Sequence, residues 1–303
     1  LIPNPRIGTA PISWGICELP GWGQELPVSR VLGEMAAARY AGTELGPWGY
    51  LPDDVTLMRS ELRRRGLSLI GGFCPVTLHD SARIEEQRRF ALGVAARLRD
   101  LGAEVLVLAE AGDERRRDMA GQVNAETTPK FGDDDWKRFS ASAQEIAATA
   151  RDFGLVTAFH PHVGTYVETE QETERLLEAT DAHVLGLCVD TGHLIYAGVD
   201  PVALTERHSR RVRHVHLKDV DAGVLEAARR NRWSFADAVA NGIFVPLGAG
   251  TVNLSAMLLA LRAAGYSGWL VVEQDARLLR PDQDVLPLAH AIRSRTTLKT
   301  LLG

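Results

Sequence analysis

Cysteine is scarce in this sequence, and the few cysteines present are not spaced as partners. The 303 residues include only Cys17, Cys74 and Cys188, which lie far apart in the chain. This number and spacing exclude a disulfide framework and argue against a cysteine-ligated structural zinc site. We therefore expect reduced thiols and a cytoplasmic protein.

Long hydrophobic segments are also missing. No apolar run approaches the length of about 18 residues that a membrane-spanning helix requires. A positively charged segment followed by an apolar one, as in a secretory signal, is not found near the first residue. These absences predict a soluble protein with no membrane partner.

An excess of positive charge, which is typical of nucleic-acid-binding proteins, is absent as well. The formal net charge is −5 at pH 7, and the pI is about 6.0. Two short arginine clusters, at residues 63–65 and 115–117, lie among acidic residues, and we interpret them as solvated helix faces. Nucleic acid is therefore not an expected partner.

The sequence does contain a regular alternation of short apolar segments with longer amphipathic ones. The apolar segments predict strands at residues 6–12, 42–45, 68–73, 105–109, 156–160, 185–189, 212–217 and 269–273. The amphipathic segments predict helices at residues 28–40, 56–65, 84–101, 136–153, 170–179 and 254–264. A glycine follows the end of five of these helices, which suits a left-handed C-cap.

This alternation predicts parallel strands joined by helical crossovers. The strands are nearly continuous apolar runs, as expected for strands buried on both faces. Eight such units favour a closed barrel over an open sheet, which would more often have a glycine-rich phosphate-binding turn after its first strand; the sequence GTAPI at residues 8–12 is not such a turn. We predict an α/β fold, a (β/α)8 TIM barrel, formed by one domain spanning residues 1–303.

Two connections are longer than the others and carry polar residues. Residues 110–135 follow the fourth strand, and residues 221–250 follow the seventh strand and include a predicted helix at about 222–240. Both connections leave the C-terminal ends of strands, where barrel enzymes form their active sites.

Ionisable residues are concentrated at the same strand ends. Five of the nine histidines fall in three short segments, at residues 160–162, 190–193 and 214–219. In the second segment, a buried strand ends on Asp190, and Gly192 permits a turn that brings His193 over the same opening. A carboxylate and an imidazole facing one cavity are what a metal site or an acid–base site requires.

Alternation within strands indicates which other side chains point inward. His214 and His216 share one face of the seventh strand, and the position nearer the strand end favours His216 as a metal ligand, with His214 packed in the barrel interior. Lys218 continues this face and is predicted to contact substrate. His160 and His162 alternate in the same way at the end of the fifth strand, where Pro161 is tolerated because the strand is ending.

The remaining candidates lie singly at other strand ends. Glu44 ends the second strand and is predicted to bind substrate hydroxyls or to transfer a proton, and Glu110 has a similar position on the fourth strand. Trp14, placed at the end of the first strand, is a candidate either for stacking on the apolar face of a substrate ring or for packing at the mouth of the barrel. Glu273 ends the last strand, and Asp275 follows it as a further candidate for substrate binding.

These motifs resemble the xylose-isomerase-like barrel superfamily of sugar isomerases, epimerases and inosose dehydratases. The resemblance extends from PISWG at residues 11–15 to VVEQD at residues 271–275, and the inosose (2-keto-myo-inositol) dehydratases are the most similar subgroup. The motifs that carry it are GTELG at 42–46, HPHVGT at 160–165, DTGH at 190–193, HVHLKD at 214–219 and PLGAG at 246–250.

The resemblance implies one divalent metal ion held by residues of the last four strands, at the positions of His160, Asp190, His216 and Glu273. Imidazoles with carboxylates suit Mn²⁺ or Co²⁺, with Zn²⁺ and Fe²⁺ as alternatives. Sugar epimerases of the superfamily usually have glutamate where this sequence has His160, and they use paired glutamates to move a proton. The histidine therefore favours a dehydratase.

The implied reaction is the dehydration of an inosose or a related cyclic keto-polyol through a metal-stabilised enolate. His162 or Glu44 would be the base, and His193 or Lys218 would protonate the departing hydroxyl. Isomerisation or epimerisation of a keto-sugar is the alternative. A nuclease for abasic DNA is disfavoured by the negative charge, and a noncatalytic sugar-binding barrel by the surplus of ionisable groups. A homo-oligomer is compatible with the resemblance.

Overall fold

The computed structural model describes residues 2, 4–123 and 127–303, so part of the predicted connection at 110–135 lies outside the described residues. The strands are β1 (Arg6–Thr9), β2 (Gly42–Thr43), β3 (Ser68–Leu69), β4 (Gly71–Val76), β5 (Val105–Glu110), β6 (Val156–Phe159), β7 (Leu185–Asp190), β8 (Val212–Leu217), β9 (Asp219–Val220), β10 (Phe244–Val245) and β11 (Trp269–Val272).

The helices surround these strands. They are α1 (Val28–Ala37), α2 (Val55–Arg64), α3 (Ile84–Leu101), α4 (Glu114–Arg117), α5 (Asp133–Asp152), α6 (Glu170–Glu178), α7 (Thr191–Tyr196), α8 (Pro201–Arg207), α9 (Ala222–Asn231), α10 (Phe235–Ala240), α11 (Leu254–Ala263) and α12 (Leu286–Leu302), with 3-10 helices at Pro11–Trp14 and Pro281–Val285. None of the helices described has both the length and the apolar character needed to cross a bilayer.

Nine strands form a parallel sheet in the order β3-β2-β1-β11-β8-β7-β6-β5-β4. The two strands at its ends, β3 and β4, are consecutive in the chain and separated only by Ile70. The Ile70 N–H donates to the carbonyl of Thr43 on one side, and the Ile70 carbonyl accepts from Glu104 and Val105 on the other. The sheet therefore curls into a barrel whose two ends meet at Ile70, and β3 with β4 is the predicted third strand. The (β/α)8 prediction is confirmed.

The sequence pattern explains why the barrel forms. Every residue of β5 and of β7 is buried, because one face of each strand packs inside the barrel and the other packs against helices. Apolar side chains on the inward faces of the helices, including Met35, Leu98 and Ile146, form the main core with the outer faces of the strands. The polar residues that end the strands are thereby left at one end of the barrel.

Three local predictions differ from the structure. The first strand ends at Thr9 rather than at residue 12, because Pro11 has no N–H for the sheet and begins a 3-10 helix. The predicted helix at 222–240 is two helices, since Arg232 adopts a left-handed conformation and Ser234 caps a new helix. Helices α4, α7, α8 and α12 were not among the predicted helices.

The arginine cluster at 115–117 is not simply a solvated helix face. Arg116 is fully buried, and its guanidinium donates to both carboxylate oxygens of Glu172, at 2.8 and 3.1 Å, and to the carbonyl of Pro129. The side chain of Arg115 is 70% exposed. The prediction for residue 116 was wrong because its partner lies 56 positions away, beyond the reach of a local pattern.

Replacing Arg116 is expected to destabilise the protein strongly. Arg116→Met leaves the Glu172 carboxylate without its buried partner, which should lower the free energy of unfolding by about 3–5 kcal/mol. Urea denaturation followed by circular dichroism measures this change. The neighbouring Arg115→Met is the control and should have a much smaller effect. Equal effects of the two substitutions would contradict the structural role of Arg116.

Candidate active site

A cavity of about 380 Å³ lies at the C-terminal ends of the barrel strands. Most of the predicted site residues line it: Glu44, Glu110, His160, His162, His193, His216, Lys218, Glu273 and Asp275. Asp190 is buried directly beside His160 and His216. Aromatic side chains, including Trp22, Phe73 and Phe235, form part of the cavity wall. The site is thus a group of buried polar residues beneath a partly aromatic cavity.

The four predicted metal ligands come together as one group, which we call the ligand cluster (His160, Asp190, His216 and Glu273). Asp190 Oδ2 lies 3.4 Å from His160 Nε2 and 3.5 Å from His216 Nδ1. Glu273 Oε2 lies 3.4 Å from His216 Nδ1. Ligands bonded at about 2.1 Å to one ion are about 3.0–3.4 Å apart at angles between right and tetrahedral. The observed separations are close to this range.

Hydrogen bonds fix how both imidazoles of the ligand cluster are oriented. The Nδ1–H of His160 donates to the carbonyl of Pro161 at 2.7 Å, so its Nε2 has a lone pair. The Nε2–H of His216 donates to Glu44 Oε1 at 3.0 Å, so Nδ1 is the nitrogen that has the lone pair when this ring is neutral. Both lone pairs face the same oxygen of Asp190.

This arrangement fits a bound cation. Asp190 Oδ2 and His216 Nδ1 are buried and have no hydrogen-bond partner among the described residues. In neutral rings the two imidazole lone pairs and the carboxylate oxygen repel one another unless positive charge offsets them, and the Lys218 ammonium, 3.3 Å from Asp190 Oδ2, supplies part of that charge. A divalent cation supplies the rest of that charge and is bound by neutral imidazole and carboxylate ligands. The residues present therefore suit the metal ion that the sequence predicts.

Asp190 has a second function in the fold. Its Oδ1 accepts hydrogen bonds from the backbone N–H groups of Gly192 and His193, both at 2.9 Å, and so caps helix α7. The two oxygens are thus divided between the helix and the ligand cluster. The N-cap geometry keeps Asp190 in one rotamer, with Oδ2 directed at the imidazoles.

Lys218 lies beside the ligand cluster and is surrounded by carboxylates. Its Nζ is 2.7 Å from Asp275, 3.2 Å from Glu273 and 3.3 Å from Asp190. Burial opposes the charge, but Asp190, Asp275 and Glu273 outweigh it and raise the pKa of Lys218 above its usual value. Lys218 is therefore an ammonium ion at neutral pH, able to donate a proton or a hydrogen bond.

Gly192 is needed for the position of Lys218. It does not make the turn predicted from the sequence, because it lies inside helix α7. A Cβ atom at this position would lie 2.6 Å from Lys218 Cγ. Glycine therefore allows the lysine side chain to cross the first turn of the helix and reach the carboxylates.

His162 and His193 pack against each other next to the ligand cluster, with ring centroids 3.9 Å apart. The Nδ1–H of His162 donates to the carbonyl of Val163, so the Nε2 of His162 has a lone pair. The N–H of Val163 donates to His193 Nδ1, which places the ring hydrogen of His193 on Nε2. The two neighbouring imidazoles thus present one acceptor and one donor.

Both of these imidazoles are neutral. Burial, with the neighbouring His160 and Lys218, lowers the pKa of His162 to about 3. Burial, with the neighbouring His162 and Lys218, lowers the pKa of His193 well below its usual value. Phe235 of helix α10 covers both rings. Sequence reasoning missed Phe235, since its place over the site depends on how the connection after β9 folds back.

Glu44 lines the cavity but is held by two histidines. Its Oε1 accepts hydrogen bonds from His214 Nε2 at 2.6 Å and from His216 Nε2 at 3.0 Å. Burial disfavours the charged form, but His216 and His214 outweigh it and hold the pKa of Glu44 below its usual range. The structure also distinguishes the two histidines of β8: His216 belongs to the ligand cluster, and His214 is packed below it.

The three residues predicted to bind substrate have different positions. Asp275 lines the cavity and pairs with Lys218. Glu110 lines it too, but its Oε2 accepts from the backbone N–H groups of Gly112 and Tyr166, both at 2.8 Å, and so fixes two loops.

Trp14 is fully buried in the core, and its indole N–H donates to Glu34. The expectation that Trp14 stacks on substrate was wrong, because the first strand ends before it.

Comparison with known proteins agrees with this fold. A model of the xylose isomerase-like TIM barrel family matches residues 32–294. The chain belongs to this family. Within it, the chain is similar to an inosose dehydratase from Geobacillus kaustophilus (strain HTA426), with 35% identity over 281 residues, which are 92% of this chain and 91% of the relative.

Solved structures share the fold at lower sequence identity. An L-ribulose 3-epimerase superposes with a TM-score of 0.71 at 17% identity, covering 98% of this chain and 94% of that chain. The IOLI protein, whose crystal structure has a bound zinc atom, superposes with a TM-score of 0.70 at 16% identity, covering 98% of this chain and 97% of that chain. At these identities the likeness establishes the barrel fold.

Proposed function

We propose that this chain is a metal-dependent lyase that removes water from an inosose or a related cyclic keto-polyol. The observation that carries this proposal is the pair of neutral imidazoles, His162 and His193, next to a ligand cluster that has histidine at position 160. The cluster thus has no carboxylate on β6 to pair with Glu273, so a proton exchange between two glutamates is not available. Similarity to a curated inosose dehydratase over most of the chain supports the same reaction.

The ligand cluster would hold one divalent ion, for which we propose Mn²⁺ or Co²⁺, with Zn²⁺ and Fe²⁺ as alternatives. When bound, such an ion polarises the substrate carbonyl and acidifies the neighbouring C–H bond. All three cysteines of the chain are unpaired, which supports the proposal of a reducing, cytoplasmic setting.

His162 and His193 have complementary roles in the proposed reaction. The Nε2 lone pair of His162 accepts the proton from the carbon next to the carbonyl, and the electrons of that C–H bond form the enolate. The ammonium of Lys218 then gives a proton to the β-hydroxyl, and the Nε2–H of His193 donates a hydrogen bond to the departing oxygen. The C–O bond breaks as the C=C bond forms, and water leaves. Asp275 pairs with Lys218 and keeps its ammonium in the cavity.

The aromatic side chains have a role in binding. Cyclic polyols have C–H groups that pack against aromatic rings, and Trp22, Phe73 and Phe235 provide such rings in the cavity wall. They also exclude water from the ligand cluster, which strengthens the electrostatic interactions at the reacting atoms. A small polyol with one carbonyl satisfies both the polar and the aromatic parts of the site.

Mass spectrometry of 2-keto-myo-inositol incubated with the Mn²⁺- or Co²⁺-loaded protein tests the proposal. We expect a product lighter by the mass of one water molecule. A product of unchanged mass but altered chromatographic retention would instead identify an isomerase or epimerase, which remains the second candidate because the same enolate can be protonated at another position. Tight binding without any product would contradict both and indicate a noncatalytic sugar-binding protein.

A further inference from the structure

Glu44, His214 and His216 form a buried group below the cavity, which we call the Glu44 group. All three side chains are almost completely buried, and one oxygen of Glu44 contacts a nitrogen of each imidazole. Glu44 follows β2 and both histidines belong to β8, so the group spans the interior of the barrel. The sequence suggested instead that Glu44 faces substrate as a base.

The distances show that these contacts are hydrogen bonds rather than a second metal site. Atoms that bind one cation at about 2.1 Å are about 3.0 Å or more apart. His214 Nε2 and Glu44 Oε1 are 2.6 Å apart, which is too close for two ligands of one ion and normal for a charge-assisted hydrogen bond. The Nε2 of His216 lies 3.0 Å from the same oxygen, Glu44 Oε1.

These hydrogen bonds determine which nitrogen of His216 is available to a metal. A carboxylate oxygen only accepts, so both Nε2 atoms carry the hydrogen. In the neutral ring that binds a metal, the Nδ1 of His216 is then the lone-pair nitrogen, and it is the atom that faces Asp190 Oδ2 and Glu273 Oε2. His214 donates to the same oxygen of Glu44 and so holds the carboxylate in place.

We infer that Glu44 is a positioning residue that fixes the tautomer and ring orientation of His216 for metal binding, with His214 as the anchor of Glu44. Carboxylates that accept from a ligating histidine commonly contribute to metal affinity in this way. The inference rests on the ligand cluster of the proposed function. It does not depend on which substrate is used or on the direction of the reaction.

The test is metal affinity, measured by competition with a chromophoric chelator for Co²⁺ and by the visible absorption of the Co²⁺-loaded protein. We expect Glu44→Gln to lower the affinity by about 10–100-fold and to change the Co²⁺ spectrum, because a neutral amide holds the His216 ring less well. Glu110→Gln is the matched control for metal affinity: it too removes the charge of a buried strand-end glutamate that lines the cavity, but Glu110 has no contact with His216.

Substitutions of His214 keep the inference testable if Glu44→Gln folds poorly. His214→Gln retains an N–H that can donate to Glu44 and should preserve most of the metal affinity, whereas His214→Leu should lower it. Thermal melting of each variant confirms that it is folded. If His214→Gln keeps the metal affinity that His214→Leu loses, then His214 acts by donating a hydrogen bond to Glu44. Equal losses in both variants would indicate that His214 only fills space in the barrel interior.

Two results would overturn the inference. If Glu44→Gln binds Co²⁺ with unchanged affinity and spectrum but loses turnover, Glu44 acts on the substrate itself. If neither metal binding nor turnover changes, Glu44 has no role in the site. If the unsubstituted protein binds no metal, the inference is wrong and so is the assignment of the ligand cluster. If it binds metal but does not remove water from the substrate, only the proposed reaction is contradicted.

Discussion

Asp190→Asn is expected to remove stoichiometric metal from the protein while leaving the fold intact. The asparagine oxygen can still cap helix α7, since asparagine and aspartate are equally good N-caps. Its amide group, however, places N–H donors where His160 Nε2 and His216 Nδ1 have lone pairs. These donors satisfy the imidazoles in place of a cation and eliminate one negatively charged ligand. Turnover should fall by at least about 10³-fold, since a Lewis acid supplies several kcal/mol of transition-state stabilisation.

Elemental analysis and thermal melting measure the two parts of this expectation. The Asp190→Asn protein should remain folded with a cooperative melt, because the cap of helix α7 is kept and the imidazole lone pairs gain donors, while Lys218 keeps two of its three carboxylate partners. Asp200→Asn is a matched control, since Asp200 caps helix α8 through the same type of hydrogen bonds and lies on the protein surface. It should retain metal and turnover. Retention of metal by Asp190→Asn would exclude Asp190 as a ligand.

His162→Gln is expected to have the second largest effect, on turnover alone. The Nε2 of His162 is the acceptor proposed for the substrate proton, and His162 does not belong to the ligand cluster. Loss of a positioned base commonly lowers the rate by about 10²–10⁴-fold. Metal content should be unchanged. Steady-state kinetics and the exchange of the substrate α-hydrogen with deuterium from solvent measure the effect.

The surface histidine His183 provides the control for this substitution, since its side chain is exposed and it precedes the N-terminal end of β7, at the end of the barrel opposite to the site. His183→Gln should behave as the parent. If His162→Gln exchanges the α-hydrogen at the parental rate, another group is the base. If it loses metal, His162 is a ligand, and the division of roles among the histidines is wrong.

The barrel and the strand-end positions of the candidate ligands could be predicted because they follow from local patterns, whereas the choice of the four ligands came from the family resemblance. Each predicted ligand ends a buried parallel strand, and all such ends meet at one end of a barrel. Alternation along β8 placed His214 and His216 on one face, and position along the strand selected His216. None of this required knowledge of which strands are neighbours.

The role of Glu44 could not be predicted in the same way. Its contact with β8 depends on the width of the barrel interior and on the relative heights of β2 and β8, which are set by all the strands together. The same limit applies to Arg116, whose partner is on a distant helix, and to Phe235. The position of Trp14 differs from the prediction for another reason, because Pro11 begins a 3-10 helix and the first strand ends before it.

The junction at Ile70 has a consequence for association between copies of the chain. An open sheet has two outer strands whose N–H and C=O groups can pair with another molecule. In the main sheet here, both outer strands belong to one continuous segment that is hydrogen-bonded on either side. Copies of this protein therefore cannot extend one another's main sheet, and the surfaces left for a homo-oligomer are those of the outer helices and the loops.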